Sequence, residues 1–285
     1  MPRTVSAWTD LGQGIRVRRS VAYAMNSVLL LDSEHTIVVD PGVLPSELDD
    51  MKRAVDDAHP AQVTLFLTHA HWDHVLGLPW WPKARIVAHD RFGAEARRGA
   101  GRTLEEAKRI AAAHGETWTA GFEPFVPHEP VSGMRFAKLG PWRVVWRDAF
   151  GHCDSQLNLH LPESRTLIAA DMLSDIEIPW LNRPPAIYRA TLDALVPLAE
   201  HDAIETLIPG HGAIARDADA VRARIQRDLD YLDALEAGVR EAKSRGLTRE
   251  QAQEKLAGMK LEVADAEMMA PVQRENVKLA WEAPQ

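Results

Sequence analysis

Apolar positions fall into short continuous runs over most of the chain and into helical stripes toward its end. Val21–Leu31 and Thr36–Val39 are two strand-like runs, with Asp32-Ser33-Glu34-His35 as the turn of a hairpin between them. The second run ends in Asp40-Pro41-Gly42. Leu44, Leu48, Met51 and Val55 then recur at helical spacing, with Ser46 as the expected N-cap. Val63–Leu67 reads as a buried strand, so the order is strand, helix, strand, an α/β rhythm. Arg85–Ala88 predicts another strand, and Ala94–Ala113, rich in Ala, Glu, Lys and Arg, another helix.

Gly115–Gly133 breaks the pattern with Pro124, Pro127 and Pro130 among Trp118, Phe122 and Phe125. Such a loop is either a lid or a surface loop pinned by its aromatics. Arg135–Leu139 and Trp142–Trp146 predict a hairpin about Gly140-Pro141, and Gln156–Leu161 and Thr166–Ala170 predict two more strands. A helix lies within Pro184–Glu200, and Thr206-Leu207-Ile208 is a short strand. From Asp217 the chain is helical, with Val221, Ile225, Leu229, Leu232, Leu235 and Val239 on one stripe. Thr248 and Gln251 match a capping box that opens a last helix.

Composition narrows the classes. The chain has 285 residues, 46% of them hydrophobic, which suits one large domain or two modest ones. Its 33 basic and 41 acidic residues leave a formal charge of −8, which disfavours nucleic acid and anionic membranes as partners. Cys153 is the one cysteine, so neither an intramolecular disulfide nor a thiolate zinc site can form. Met1–Gly14 lacks the apolar core of a signal peptide, and no stretch approaches the length of a membrane span. A cytoplasmic protein with a small-molecule substrate is the expectation. Exposed apolar stripes would need covering, which makes a homodimer the candidate assembly.

The chemistry concentrates where the Val63–Leu67 run ends, in Thr68-His69-Ala70-His71-Trp72-Asp73-His74. Imidazole and carboxylate are the preferred ligands of zinc and similar first-row metals, and four such groups so close supply parts of two sites. His152, Asp171 and His211 each follow a strand-like run as well. Taken singly they are ordinary; as a set they are what ligands gathered from successive strand ends look like. Asp40 reads as either a turn former or a support for the metal residues.

Asp40-Pro41-Gly42, the THAHWDH string, Gly151-His152, Ala170-Asp171 and Pro209-Gly210-His211-Gly212, in that order, resemble the metallo-β-lactamase-fold hydrolase superfamily. The resemblance implies an α/β fold, an αβ/βα four-layer sandwich, as a single domain with its core over about 14–215 and a C-terminal helical segment over about 216–285. It implies two divalent ions, zinc first, with manganese, iron or cobalt able to share the ligands. His69, His71 and His152 would bind one ion, Asp73, His74 and His211 the other, and Asp171 both, with Asp40 supporting the metal loop. Two cations acidify a shared water, and the hydroxide attacks an electrophilic centre. On this reading Asp73 and Asp171 are the catalytic carboxylates.

Lactone, ester or thioester hydrolysis is the closest sense of the pattern. A phosphodiesterase of the same fold, an iron redox protein and a ligand sensor are the alternatives. Quorum-lactone hydrolases place a tyrosine just after the bridging aspartate; here Met172-Leu173-Ser174 stands there, and Tyr23 or Tyr188 would have to substitute. Trp72 and Trp180 are further candidates for an apolar substrate pocket.

Overall fold

A computed structural model describes residues 8–259, 263 and 265–284; Met1–Ala7 of the stretch read for a signal peptide lie outside them. The chain divides into two compact units, Met1–Asp148 with Ser155–Ser164, and Ala149–Asp154 with Arg165–Gln285. No helix among the described residues is long and apolar enough to cross a membrane.

The first unit contains a seven-stranded sheet in chain order: β1 (Trp8–Gly12), β2 (Ile15–Arg19), β3 (Asn26–Leu30), β4 (His35–Val39), β5 (Gln62–Leu67), β6 (Arg85–His89) and β7 (Glu129–Val131). The first four strands pair antiparallel. From β4 onward the pairs are parallel, and two crossovers are helices, α1 (Pro45–Asp57) and α2 (Phe92–Ala113). Every residue of β3 and β4 is buried, as are the last four of β5. That explains why these strands read as continuous apolar runs rather than alternating ones. The unit also holds β8 (Arg135–Leu139), β9 (Trp142–Asp148) and β10 (Leu157–Leu161), with the expected β8–β9 hairpin and with β10 antiparallel to β9.

Two expectations change here, and one open alternative is decided. The Val21–Leu31 run yields a strand only from Asn26, because Tyr23 and Ala24 take left-handed backbone (φ 55° and 49°) and turn the chain out of the sheet. Ser46 is not the N-cap: Pro45 already supplies a helical φ and lacks the N–H that would need a partner, so α1 starts there with Leu44 as cap. The Ser46 hydroxyl instead donates to Glu116 at 2.6 Å. The 115–133 loop is fastened rather than lid-like. Trp118 is buried in the unit's core, Phe122 and Phe125 pack against it, and β7 falls inside the stretch.

The second unit pairs β11 (Thr166–Ala170) with β12 (Thr206–Pro209) in parallel through α3 (Pro185–Glu200). α4 (Ala218–Ser244) follows, capped by the Asp217 side chain on the Ala220 N–H, and then α5 (Arg249–Ala257), opened by the Thr248–Gln251 capping box. This is not the last helix: α6 (Ala266–Glu282) comes after it. Of the predicted α4 stripe, Val221, Ile225, Leu232, Leu235 and Val239 are buried in this unit's core, and Leu229 packs on its edge.

Tyr188 corrects a further expectation. It is fully buried among these residues, and its hydroxyl donates to Asp228 at 2.9 Å, so it cannot line a substrate pocket. Asp228 is equally enclosed and also accepts the Leu173 N–H at 3.2 Å. Burial dominates over these hydrogen bonds and pushes the Asp228 carboxyl up from 3.8 to about 6.

A carboxyl raised in the folded state binds its proton more tightly there than in the unfolded chain. Its contribution to stability is therefore present below the unfolded value of 3.8 and is lost as pH rises through about 6. Asp228→Asn should accordingly gain on the parent, by on the order of 2 kcal/mol, between about pH 4 and about pH 7. Urea unfolding of both metal-free proteins at the two pH values reads this directly; a constant difference between them would show that Asp228 titrates normally.

Candidate metal centre

The end of β5 delivers the histidine-rich string into a short 3-10 turn, Trp72–His74. The string is anchored at its start, since the Thr68 carbonyl accepts the Leu157 N–H at 2.9 Å. Gly42 abuts the loop so closely that a Cβ there would overlap the Asp73 carbonyl oxygen, which explains the glycine in Asp40-Pro41-Gly42.

Asp40 organises this half. It is 2% exposed and sits just past β4 with left-handed backbone (φ 47°). Its Oδ1 accepts the Thr68 N–H at 2.7 Å; its Oδ2 accepts the Thr68 hydroxyl at 2.5 Å and stands 2.9 Å from His74 Nδ1. Thr68 Oγ1 is in turn 3.0 Å from His69 Nδ1. The proton positions follow from what each acceptor can do. A carboxylate can only accept, so His74 carries its proton on Nδ1. The Thr68 hydroxyl proton is committed to Asp40, so His69 Nδ1 must donate to the hydroxyl oxygen. Both neutral imidazoles then carry their lone pair on Nε2, the state a metal needs. Asp40 thus hydrogen-bonds Thr68 and His74 rather than only turning the chain.

The same string brings the other donors together. Ligand atoms of His69 and His71 lie within 4.8 Å of each other, as do those of Asp73 and His74. The His69 ring centroid is 4.6 Å from that of His71 and 4.1 Å from that of His74. His74 Nε2 is 3.9 Å from Asp73 Oδ2.

In the second unit, His152, Asp171 and His211 form a group of their own. Asp171 follows β11, where Ala170 takes left-handed backbone (φ 53°) and turns the chain. Gly210 gives it room: a Cβ there would overlap Asp171 Oδ1. Each carboxylate oxygen faces a different imidazole, Oδ2 at 3.4 Å from His152 Nε2 and Oδ1 at 3.6 Å from His211 Nε2. These separations are long for direct hydrogen bonds. Asp171 and these two imidazoles are among the groups able to hold a metal ion. His152 Nδ1 stands 3.1 Å from the Trp180 carbonyl, which can only accept, so its lone pair too is on Nε2.

The donors are all nitrogen and oxygen, several of the imidazoles have an assigned Nε2 lone pair, and two carboxylates stand among them. That set fits zinc and its first-row neighbours. Two partners had no role in the sequence reading. Thr68 was visible inside the string, between the strand and the first histidine. The Trp180 carbonyl is backbone and leaves no sequence signal.

Among the pocket candidates, Tyr23 and Trp72 meet edge to face at 6.1 Å in the first unit, and Tyr23 is 40% exposed. The Tyr23 hydroxyl accepts from Arg109 at 2.9 Å. Trp180 is 46% exposed, with its ring edge-on to His152 at 6.1 Å. Tyr188 drops out, as its burial requires.

Asp40→Asn keeps the size of the side chain but puts an amide where Thr68 and His74 need an acceptor. Zinc affinity, read by competition with a chromophoric chelator, should fall by about 10–100-fold. An unchanged affinity would remove Asp40 from the support of the metal residues.

The model of the metallo-beta-lactamase superfamily matches residues 22–211. No curated protein matches the chain in sequence. Among solved structures, the stereoselective inverting sec-alkylsulfatase Pisa1 from Pseudomonas sp. is similar in fold, at 14% identity and a TM-score of 0.69, over 97% of this chain and 50% of that one. The chain thus spans about half the length of the sulfatase. A metallo-beta-lactamase family protein from Thermus thermophilus is similar at 18% identity and a TM-score of 0.65, over 95% of this chain and 93% of that one. With the two sheets, the helices and the histidine–aspartate groups in place, the match over 22–211 establishes that this chain belongs to the metallo-beta-lactamase superfamily.

Proposed function

We propose that the chain is a metal-dependent hydrolase of a carboxylic ester, lactone or thioester, working with two divalent ions, zinc before manganese, iron or cobalt. In this reading His69, His71 and His152 serve one ion, Asp73, His74 and His211 the other, and Asp171 both. The observation that carries it is the preset state of the ligands. His69, His74 and His152 each have an Nδ1 acceptor that leaves Nε2 as the lone pair, and Asp171 turns one oxygen to each of two imidazoles. Membership of a superfamily of largely hydrolytic metalloenzymes supports the same reading.

When bound, the ions supply an acidified water and stabilise the developing oxyanion. The chain's own groups do the rest. Asp40 and Thr68 hold two imidazoles in the binding tautomer. In this reading Asp73, 6% exposed at the turn, takes a proton and returns it to the leaving oxygen or sulfur. Trp72 and Tyr23 in the first unit and Trp180 in the second each offer apolar surface, which favours an acyl chain or an aromatic group over a compact polar substrate.

The test is turnover of a panel: an aryl ester, a long-chain acyl lactone, a thioester, a phosphodiester, a β-lactam and an alkyl sulfate, the last because Pisa1 shares the fold. One of the first three should be hydrolysed by zinc-loaded protein. His71→Ala should lower kcat/KM by more than the roughly 100-fold that losing an outer support costs. Turnover of the phosphodiester or the sulfate ester alone would reassign the substrate class. Activity that survives chelation, or silence across the panel with two ions bound, would overturn the reading in favour of a redox protein or a sensor.

A further inference from the structure

Residues 171–182, which follow β11, contain no helix or strand, yet side chains of the C-terminal helices hold the backbone of this stretch along its length. From α4, Asp228 accepts the Leu173 N–H, Arg224 donates to the Leu173 carbonyl at 2.9 Å, and Arg227 donates to the carbonyls of Ser174 and Glu177. From α6, Asn276 Oδ1 accepts the Leu181 N–H at 3.0 Å, and its Nδ2 donates to the Pro179 carbonyl at 2.6 Å. The amide orientation is not ambiguous, because an N–H can only donate and a carbonyl only accept. Asn276 Nδ2 also reaches the Tyr231 hydroxyl at 2.7 Å, and that hydroxyl donates to Gln273 Oε1 at 2.6 Å.

One fully buried amide therefore grips the residue before Trp180 and the residue after it. Trp180 is the residue whose carbonyl takes the His152 Nδ1 proton and whose ring stands against His152. We propose that Asn276 is a positioning residue for the metal centre: by clamping both neighbours of Trp180 it holds the carbonyl that keeps His152 in its binding tautomer, and it fixes the indole beside that histidine. The inference rests on the reading of His152 as a ligand. It also assigns a task to the C-terminal helices, which the superfamily match over 22–211 does not cover.

The reach is short enough for the effect to be felt. The His152–Trp180 hydrogen bond is 3.1 Å long, and a shift of the peptide by about 1 Å would take it beyond hydrogen-bonding distance. Without that acceptor the Nδ1–H form loses the hydrogen bond that favours it, while Asp171 Oδ2 still faces Nε2 at 3.4 Å. A purely structural role would predict something else, namely loss of stability with His152 unchanged.

Two variants separate these outcomes. Asn276→Asp keeps the shape and the acceptor for Leu181 but removes the donor to Pro179; Asn276→Leu removes both at similar volume. Long-range proton–nitrogen correlation of nitrogen-15-histidine protein, metal-free and above the histidine pKa, reports the His152 tautomer. Zinc competition and thermal melting run beside it. The parent should show the Nδ1–H form, and the variants a mixture of tautomers with zinc bound about 10–100-fold more weakly at one site. An Nε2–H form in the metal-free parent overturns the proposal whether or not either variant folds. Variants that melt lower but keep the Nδ1–H form and bind zinc within about twofold of the parent overturn it too. If the parent shows the Nδ1–H form, and the variants lose it and bind zinc more weakly, while the zinc-loaded parent turns over nothing in the panel, the positioning role stands and the hydrolase reading fails.

Discussion

The site depends on where three protons sit. An imidazole is a metal ligand only at a nitrogen that carries no proton, so each ligand histidine needs an acceptor at its other nitrogen. His74 has the Asp40 carboxylate, His69 has the Thr68 hydroxyl backed by the same carboxylate, and His152 has the Trp180 carbonyl. The carboxylate and the carbonyl can only accept, and the Thr68 hydroxyl accepts because its own proton goes to Asp40. For these three histidines the chain itself favours the tautomer with its lone pair on Nε2.

Much of the architecture serves that requirement. Asp40 can reach both Thr68 and His74 because β4 and β5 run parallel and side by side, which brings the residue after one strand to the residue after the other. A buried carboxylate is costly unless its oxygens are hydrogen-bonded, and Asp40 meets three donors. Left-handed backbone at Asp40, Ala170 and Leu173 costs energy in non-glycine residues, on the order of 1 kcal/mol each, and all three lie beside the metal-ligand candidates. Strain at those points is tolerated where hydrogen bonds hold the chain, as Asp40 does for Thr68 and Asp228 does for Leu173.

The second unit meets the same need by a different route. Its carboxylate, Asp171, sits between two imidazoles, and the acceptor for His152 is backbone rather than side chain. A backbone acceptor is only as well placed as the peptide that bears it. That explains why so many polar side chains of α4 and α6 converge on a stretch without regular structure. It also gives buried Asp228, Asn276 and Gln273 a reason to be polar within a helical core.

Local pattern was enough to place the strands that end at the chemistry. Val63–Leu67 and Thr166–Ala170 were legible because strands buried on both faces show as unbroken apolar runs that stop at polar residues. The seven metal-ligand candidates were legible because imidazole and carboxylate cluster so densely after such runs. The start of β3, the cap of α1 and the fastening of the 115–133 loop were not, since each turns on a backbone angle or a distant partner such as Glu116. Tyr188 looked like a substrate contact by its position in the chain and is a core residue by its environment. The amino-acid sequence by itself determined which candidate ligands the chain offers and in what order they come. Tertiary structure alone decided which nitrogen of His69, His74 and His152 offers its lone pair, because that depends on acceptors such as Asp40 for His74 and the Trp180 carbonyl for His152, 34 and 28 residues away along the chain.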